Sequence, residues 1–292
     1  MQNVTEKLRV NFMQAPMVEV SELSNLFFEL TNKNCNLKCT HCYIKKNPYK
    51  KEKDFLPIER IKQTLIKARS DKLKSVYLTG GEPMTHPDFN SILRMCLKVT
   101  NTTILTNGTF INDKKARFLR KIDDESDYET IFRISFEHYN EQKNDLIRGR
   151  GSFRKSLFAV QNLYKYGFNP IITTTTYYKE PREKMFEGFR EVTKKFGFDI
   201  GQINLKIIPY FSENKFDFKQ VEERNFNPDN LDCKNSKIVS MKGVFSCPAL
   251  CNDFRARMGY TIENCSDKIY LDTEKCYVCT HHNTKAFAND WM

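Results

Sequence analysis

The chain has 292 residues, of which 40% are hydrophobic and 28% charged, and its formal net charge is +11. That length fits one large domain or one domain with an appendage, and the composition is that of an ordinary globular protein. It excludes a collagenous or low-complexity chain, and no run of about 18 apolar residues is present to cross a membrane.

The opening residues MQNVTEKLRVNF carry neither the apolar stretch nor the small-residue cleavage site of a signal peptide, so the expected location is the cytoplasm. In a reducing compartment ten cysteines read first as metal ligands or catalytic thiols rather than as disulfides. Lys and Arg are spread along the chain, which reads as a solvated basic surface. The densest stretch, Lys45, Lys46, Lys50, Lys51 and Lys53 interleaved with Tyr43 and Tyr49, is where an anionic partner would fit.

Residues 1–24 form an N-terminal extension. From Asn25 to Tyr210, β-rich runs alternate with helical patterns, which predicts βα units on a parallel sheet. The six expected strands cover 25–32, 75–80, 102–107, 130–137, 170–177 and 203–210. Between them, Phe89, Ile92, Leu93, Cys96 and Leu97 form one helical stripe, and Met185, Phe189, Val192 and Phe196 another. Cys96 is therefore expected in the core. Pro57, Pro87 and Pro181 fall at or near helix starts, where a missing N–H costs nothing. Residues 211–232 lack a period and read as a linker. The segment 233–292 opens a stretch with six cysteines, at positions 233, 247, 251, 265, 276 and 279, and two short β-like runs flank Lys242 and Gly243. It is too small for a large core of its own, and bound metal is a usual way to stabilise such a segment.

Two motifs carry chemistry. Directly after the first expected strand stands Cys35-Asn-Leu-Lys-Cys39-Thr-His-Cys42-Tyr. Three thiolates on a short loop can reach three irons of a cubane and leave the fourth open to a small chelating molecule, whereas a Cys3His zinc site with His41 is the alternative for the loop alone. The second expected strand ends in Thr79-Gly80-Gly81-Glu82-Pro83, a glycine pair through which backbone can approach a ligand, followed by a carboxylate able to accept from an ammonium.

The cysteine loop and the GGEP turn one βα unit later resemble the radical SAM (S-adenosylmethionine) superfamily over roughly residues 25–210. The resemblance implies an α/β fold, a partial (β/α)6 TIM-type barrel, here with a small cysteine-rich C-terminal domain. By the same resemblance Cys35, Cys39 and Cys42 bind a 4Fe-4S cluster, and Gly80, Gly81 and Glu82 hold the amino group of SAM. The segments Ile134-Ser135-Phe136-Glu137 and Asp145 to Phe153 are similar to "ISxD" and "RG.GSF" segments of members with a C-terminal iron-sulfur domain, which implies SAM contacts for Ser135 and Arg148. Asn107, in LTNG at the end of the third strand, is a further candidate for the cofactor pocket, although Asn-Gly is also ordinary turn chemistry.

In the tail, Cys233, Gly243, Cys247 and Cys276-Tyr-Val-Cys279 resemble the shortened auxiliary-cluster domain called twitch. The spacing from Gly243 to Cys247 is one residue shorter than in its longer relative, SPASM. That resemblance implies a second 4Fe-4S cluster on Cys233, Cys247, Cys276 and Cys279, with Cys251 and Cys265 left over. A zinc ribbon, with His281 and His282 available to complete it, is the alternative for this segment.

The activity implied is reductive cleavage of SAM to a 5'-deoxyadenosyl radical, which abstracts a hydrogen atom from substrate, with a one-electron donor such as flavodoxin or ferredoxin as partner. Acid or base candidates at the strand ends are Glu137 and His138, beside Thr174, Thr176, Lys206 and Tyr210. A small-molecule substrate, such as a sugar or modified nucleobase, is the first expectation, because only 24 residues precede the first strand and many peptide maturases carry an extra N-terminal peptide-binding domain. A peptide-modifying maturase is the alternative. A zinc-dependent nucleic-acid-binding protein would explain the cysteines and the charge but not TGGEP or the βα alternation.

Overall fold

The computed structural model describes residues 17–20, 22–42, 44, 55–201, 204–210, 231–271, 276, 279 and 288. Tyr43, the basic residues from Lys45 to Lys53 with Tyr49, residues 211–230, His281 and His282 lie outside them. No described helix is long and apolar enough to cross a membrane.

Six parallel strands occupy the expected places: β2 (Asn25–Thr31), β3 (Ser75–Gly80), β4 (Asn101–Thr106), β5 (Thr130–Ser135), β6 (Ile171–Thr175) and β7 (Leu205–Ile208). Each pairs in parallel with the next. Helices fill the crossovers: α1 (Ile58–Ala68), α2 (Phe89–Leu97), α3 (Asp113–Asp123), α4 (Glu141–Arg148), α5 (Ser152–Lys165) and α6 (Arg182–Lys195). Parallel neighbours require such crossovers, which is why strand and helix periods alternate in the sequence.

All five residues of the Phe89 stripe, Cys96 included, are buried, and burial pushes the Cys96 thiol far above its ordinary range. Met185 and Phe189 are buried, with Val192 and Phe196 packed against the same core. Pro57 and Pro181 stand at the N-caps of α1 and α6, while Asn112 and Asn140 cap α3 and α4 by accepting from the backbone N–H groups of Lys115 and Lys143.

Every residue of β2 is buried, as expected of a strand covered on both faces. Leu26, Phe28 and Leu30 join the core beneath the helices. Phe27 faces the other way, stacked on Tyr77 with ring centroids 4.2 Å apart and packed with Ile238 and Phe245.

The tail is not a detached layer. β8 (Ser236–Ser240) pairs in parallel with β2, and β9 (Gly243–Phe245) and β10 (Arg257–Gly259) continue antiparallel from it. One sheet therefore runs β10-β9-β8-β2-β3-β4-β5-β6-β7 and does not close among the described residues. The two β-like runs of the tail form the β8–β9 pair. Its turn ends at Gly243, where φ is +135° and a Cβ would lie 2.6 Å from the Gly259 carbonyl oxygen. From the N-terminal extension, β1 (Met17–Glu19) pairs antiparallel with β11 (Lys268–Tyr270).

Three strands, β5, β6 and β7, end two residues short of their expected runs, and for the first two the cause is visible. After Ser135 the Glu137 N–H donates to Asn144 Oδ1 at 2.9 Å, turning the chain into the α4 approach. After Thr175 the chain tightens into a 3-10 turn, Thr176–Tyr178.

Candidate active site

The cysteine loop leaves the C-terminal end of β2 and is held by its own backbone. Thr40 N–H donates to the Ile147 carbonyl at 2.9 Å, tying the loop to α4, and Leu37 N–H donates to Cys35 Sγ at 3.4 Å. The turn after β3 is seated directly on this loop: Gly81 N–H donates to the Thr31 carbonyl at 3.0 Å and Glu82 N–H to that of Asn34 at 2.8 Å. A Cβ at Gly80 would lie 2.2 Å from the Thr31 oxygen, and one at Gly81 2.2 Å from the Asn34 oxygen. The glycine pair thus lets two backbones meet, a reason for its presence that is independent of any ligand.

Glu82 is fully buried. Its Oε1 accepts from Thr106 Oγ1 at 2.7 Å and Met84 N–H at 3.1 Å, and its Oε2 from Asn107 N–H at 2.8 Å. Burial pushes its pKa up, while these three hydrogen bonds and the Arg148 charge pull it back. Asn107, fixed in this way, reaches the loop from β4: its Nδ2 donates to Asn36 Oδ1 at 2.9 Å and lies 3.8 Å from Cys35 Sγ.

Glu137 forms the opposite wall. Its Oε1 accepts from His41 Nε2 at 2.6 Å and from the Arg148 guanidinium at 3.4 Å, and its Oε2 from Thr175 Oγ1 at 3.0 Å. Burial works to raise its pKa, but the His41 hydrogen bond and the His41 and Arg148 charges hold it below the ordinary carboxylate value. Above His41 lie Tyr210, stacked at 6.0 Å, and Tyr177, edge-on at 6.2 Å. Ser135 ends β5, half-buried and paired with Thr173.

His138 is turned elsewhere. Its Nδ1 accepts from Asn140 N–H at 2.8 Å and its Nε2 lies 2.9 Å from Glu180 Oε1. Glu180 also receives the Lys143 ammonium at 2.7 Å and the Tyr139 hydroxyl at 2.9 Å. Burial would raise the Glu180 pKa, but these donors hold it at about 2. Among the other candidates, Thr174 Oγ1 donates to the Glu137 carbonyl, Thr176 Oγ1 accepts from Tyr210 N–H, and Lys206 Nζ donates to the Ala288 carbonyl. The sequence offered no sign of Thr175, Tyr177 or Glu180, whose contacts arise only from the folding of the β6 end over β5.

The residues at the loop fit a 4Fe-4S cluster with SAM. No disulfide engages Cys35, Cys39 or Cys42, and the Cys35 thiol is pushed up by burial and by the charges of Glu82, Cys39 and Cys42, a balance that bound metal reverses. Beside them Arg148 Nε and His41 Nδ1 are buried without hydrogen-bond partners, places where a polar cofactor supplies what the protein does not.

In the tail, Cys233, Cys247, Cys276 and Cys279 line one cavity, with Asp232 and Ser246 in its wall. Burial pushes the Cys233 and Cys247 thiols well up, and the charges of the other cysteines and Asp232 add to this. Four thiols gathered in an apolar enclosure fit a group that takes them as thiolates. Cys251 packs instead with Phe27 and Tyr77, and Cys265 donates to the Thr261 carbonyl at 3.1 Å. Among the described residues no three His, Cys, Asp or Glu side chains are placed to share a single metal ion.

Residues 30–191 match the family described as Radical SAM superfamily. The subtilosin biosynthesis protein AlbA of Bacillus subtilis is 33% identical over 142 residues, 48% of this chain and 30% of AlbA. A GTP 3',8-cyclase of Peptoclostridium acidaminophilum is 24% identical over 184 residues, 60% of this chain and 53% of the cyclase. The chain thus spans about half or less of each relative. Among solved structures, anSMEcpe with bound AdoMet and Cp18Cys peptide shares the fold with a TM-score of 0.59 at 19% identity, covering 84% of this chain and 80% of that one. Streptococcus suis SuiB bound to its precursor peptide SuiA gives 0.61 at 16% identity, covering 90% and 66%. With a family match across more than half of its length, and a cysteine loop seated on a GGE turn at the ends of parallel strands, the chain belongs to the radical SAM superfamily.

Proposed function

We propose that the chain is a peptide-modifying radical SAM maturase, carrying one 4Fe-4S cluster on Cys35, Cys39 and Cys42 and a second on Cys233, Cys247, Cys276 and Cys279. The observation that carries the peptide reading is the 33% identity with a bacteriocin biosynthesis protein over 142 residues. This replaces a small molecule as the first expectation. The open sheet is in keeping with it, since β7 and β10 end the sheet without meeting among the described residues, which suits a chain-like substrate better than an enclosed pocket would.

Bound at the loop, the cluster and SAM supply a one-electron cleavage that yields a hydrogen-abstracting radical. The protein's own residues bind and orient. Gly80, Gly81, Glu82, Asn107, Ser135 and Arg148 are the proposed SAM contacts. Glu82 holds the turn and Asn107 in place through its three accepted hydrogen bonds. Glu137 fixes His41 and Arg148, and the His41, Tyr177 and Tyr210 rings cover the loop and exclude water. The tail thiols would hold a closed cluster suited to passing electrons from a flavodoxin or ferredoxin.

The test of substrate is direct. Reconstituted protein with SAM and dithionite, given a peptide encoded by a short reading frame beside its gene, is expected to change the mass of that peptide and to release 5'-deoxyadenosine in proportion. Turnover of a nucleotide instead, with the peptide untouched, would establish the small-molecule reading that similarity to GTP 3',8-cyclases supports.

The tail assignment has its own test. Single Ala variants of Cys233, Cys247, Cys276 or Cys279 should each lose about half of the bound iron. Cys251→Ala and Cys265→Ala should keep all of it. Retention of full iron by any of the first four, or loss in either of the last two, redraws the ligand set.

A further inference from the structure

One polar atom in the tail cavity is left over once the four thiols are assigned. Ser246 follows β9 immediately and precedes Cys247. It is fully buried, and its Oγ has no hydrogen-bond partner although it belongs to the wall that the four cysteines form. Its backbone is committed, with the N–H donating to the Ala256 carbonyl at 3.4 Å, so the residue is fixed in place while its hydroxyl is not. The carboxylate in the same wall is already engaged: Asp232 Oδ1 accepts from Ala288 N–H at 2.9 Å, and its Oδ2 lies 3.9 Å from Cys279 Sγ. A buried hydroxyl without a partner keeps its desolvation cost, which is recovered only if something in the cavity accepts its proton. The remaining surroundings named in that wall are sulfur and hydrocarbon.

We propose that Ser246 donates its hydroxyl hydrogen bond to a sulfur of the auxiliary cluster and thereby sets the reduction potential of that cluster. The proposal rests on the reading of the four tail cysteines as ligands of a 4Fe-4S group. Reduction adds negative charge to the sulfurs, so a donor stabilises the reduced state more than the oxidised one and raises the potential. The Asp232 charge beside Cys279 works in the opposite direction. Ser246 is thus a tuning residue. Removing its hydroxyl should leave iron binding intact and change only how readily the second cluster accepts an electron.

The experiment is a potentiometric titration of the intact chain, followed by electron paramagnetic resonance. SAM marks the loop cluster by perturbing its signal, so the auxiliary signal is read separately. Ser246→Ala should keep the wild-type iron content and move the auxiliary midpoint to a more negative potential. Ser246→Thr, which keeps the hydroxyl, should return it towards the wild-type value. An auxiliary midpoint in Ser246→Ala equal to that of the wild type overturns the proposal. So does loss of the auxiliary iron in that variant while the loop cluster remains, because the hydroxyl would then be a ligand or a structural group rather than a tuning donor. Failure of the underlying reading looks different: the wild-type protein itself would hold only about four irons, or zinc in the tail.

Discussion

Replacing Cys35, Cys39 and Cys42 together by Ala should remove about half of roughly eight irons and abolish formation of 5'-deoxyadenosine from SAM. The three thiols stand on one loop, and no fourth protein ligand is assigned there. The loop is held by backbone hydrogen bonds to the Gly81 turn and to Ile147, none of which needs the thiols, so the fold should survive the substitution. Iron analysis and anaerobic turnover with dithionite check both halves of the prediction. Full iron in the triple variant, or zinc in the wild-type protein at both sites, would remove the loop from the chemistry.

Glu82→Ala should destabilise the protein by about 3 to 5 kcal/mol, well beyond the loss of one ligand contact. The carboxylate has no exposure and accepts three hydrogen bonds, so its removal strands Thr106 Oγ1 and the Asn107 N–H in the interior and leaves a cavity. Asn107 then loses the support that places its Nδ2 against Asn36 and Cys35. Denaturant unfolding under anaerobic conditions measures this. An unchanged midpoint, with only SAM affinity reduced, would show that the side chain serves the ligand and not the turn.

The periodicities located the six central strands to within two residues at most ends, because each is a short apolar run between helices of clear amphipathic period. What they missed has physical causes. Nothing in the run Ser236–Ser240 announces that it pairs with β2 rather than folding apart, since pairing partners far away in sequence leave no local trace. The motif residues were legible because ligand spacing is local. The contact of His41 with Glu137 was not, as it joins the β2 loop to the β5 end through folding alone. Likewise the contact of His138 with Glu180, which follows β6, leaves no pattern in the sequence that connects the two. The GGE pair was read through a ligand, whereas the backbone beneath it gives a second reason for two adjacent glycines.

The pairing of β8 with β2 also bears on how the protein is made. β2 carries the cysteine loop at its end, yet one of its edges is completed by residues that leave the ribosome long afterwards. Asn25 and Asn235, at the start of that pairing, are 210 positions apart, and Glu29 is met by Asn252, 223 positions away. Until the tail emerges, a strand rich in Leu and Phe keeps an unfilled edge, the kind of surface that invites association with other nascent chains. Contacts of such long sequence separation also form slowly. The edge of the strand that leads into the cysteine loop is therefore completed only after residues 236–252 have been made.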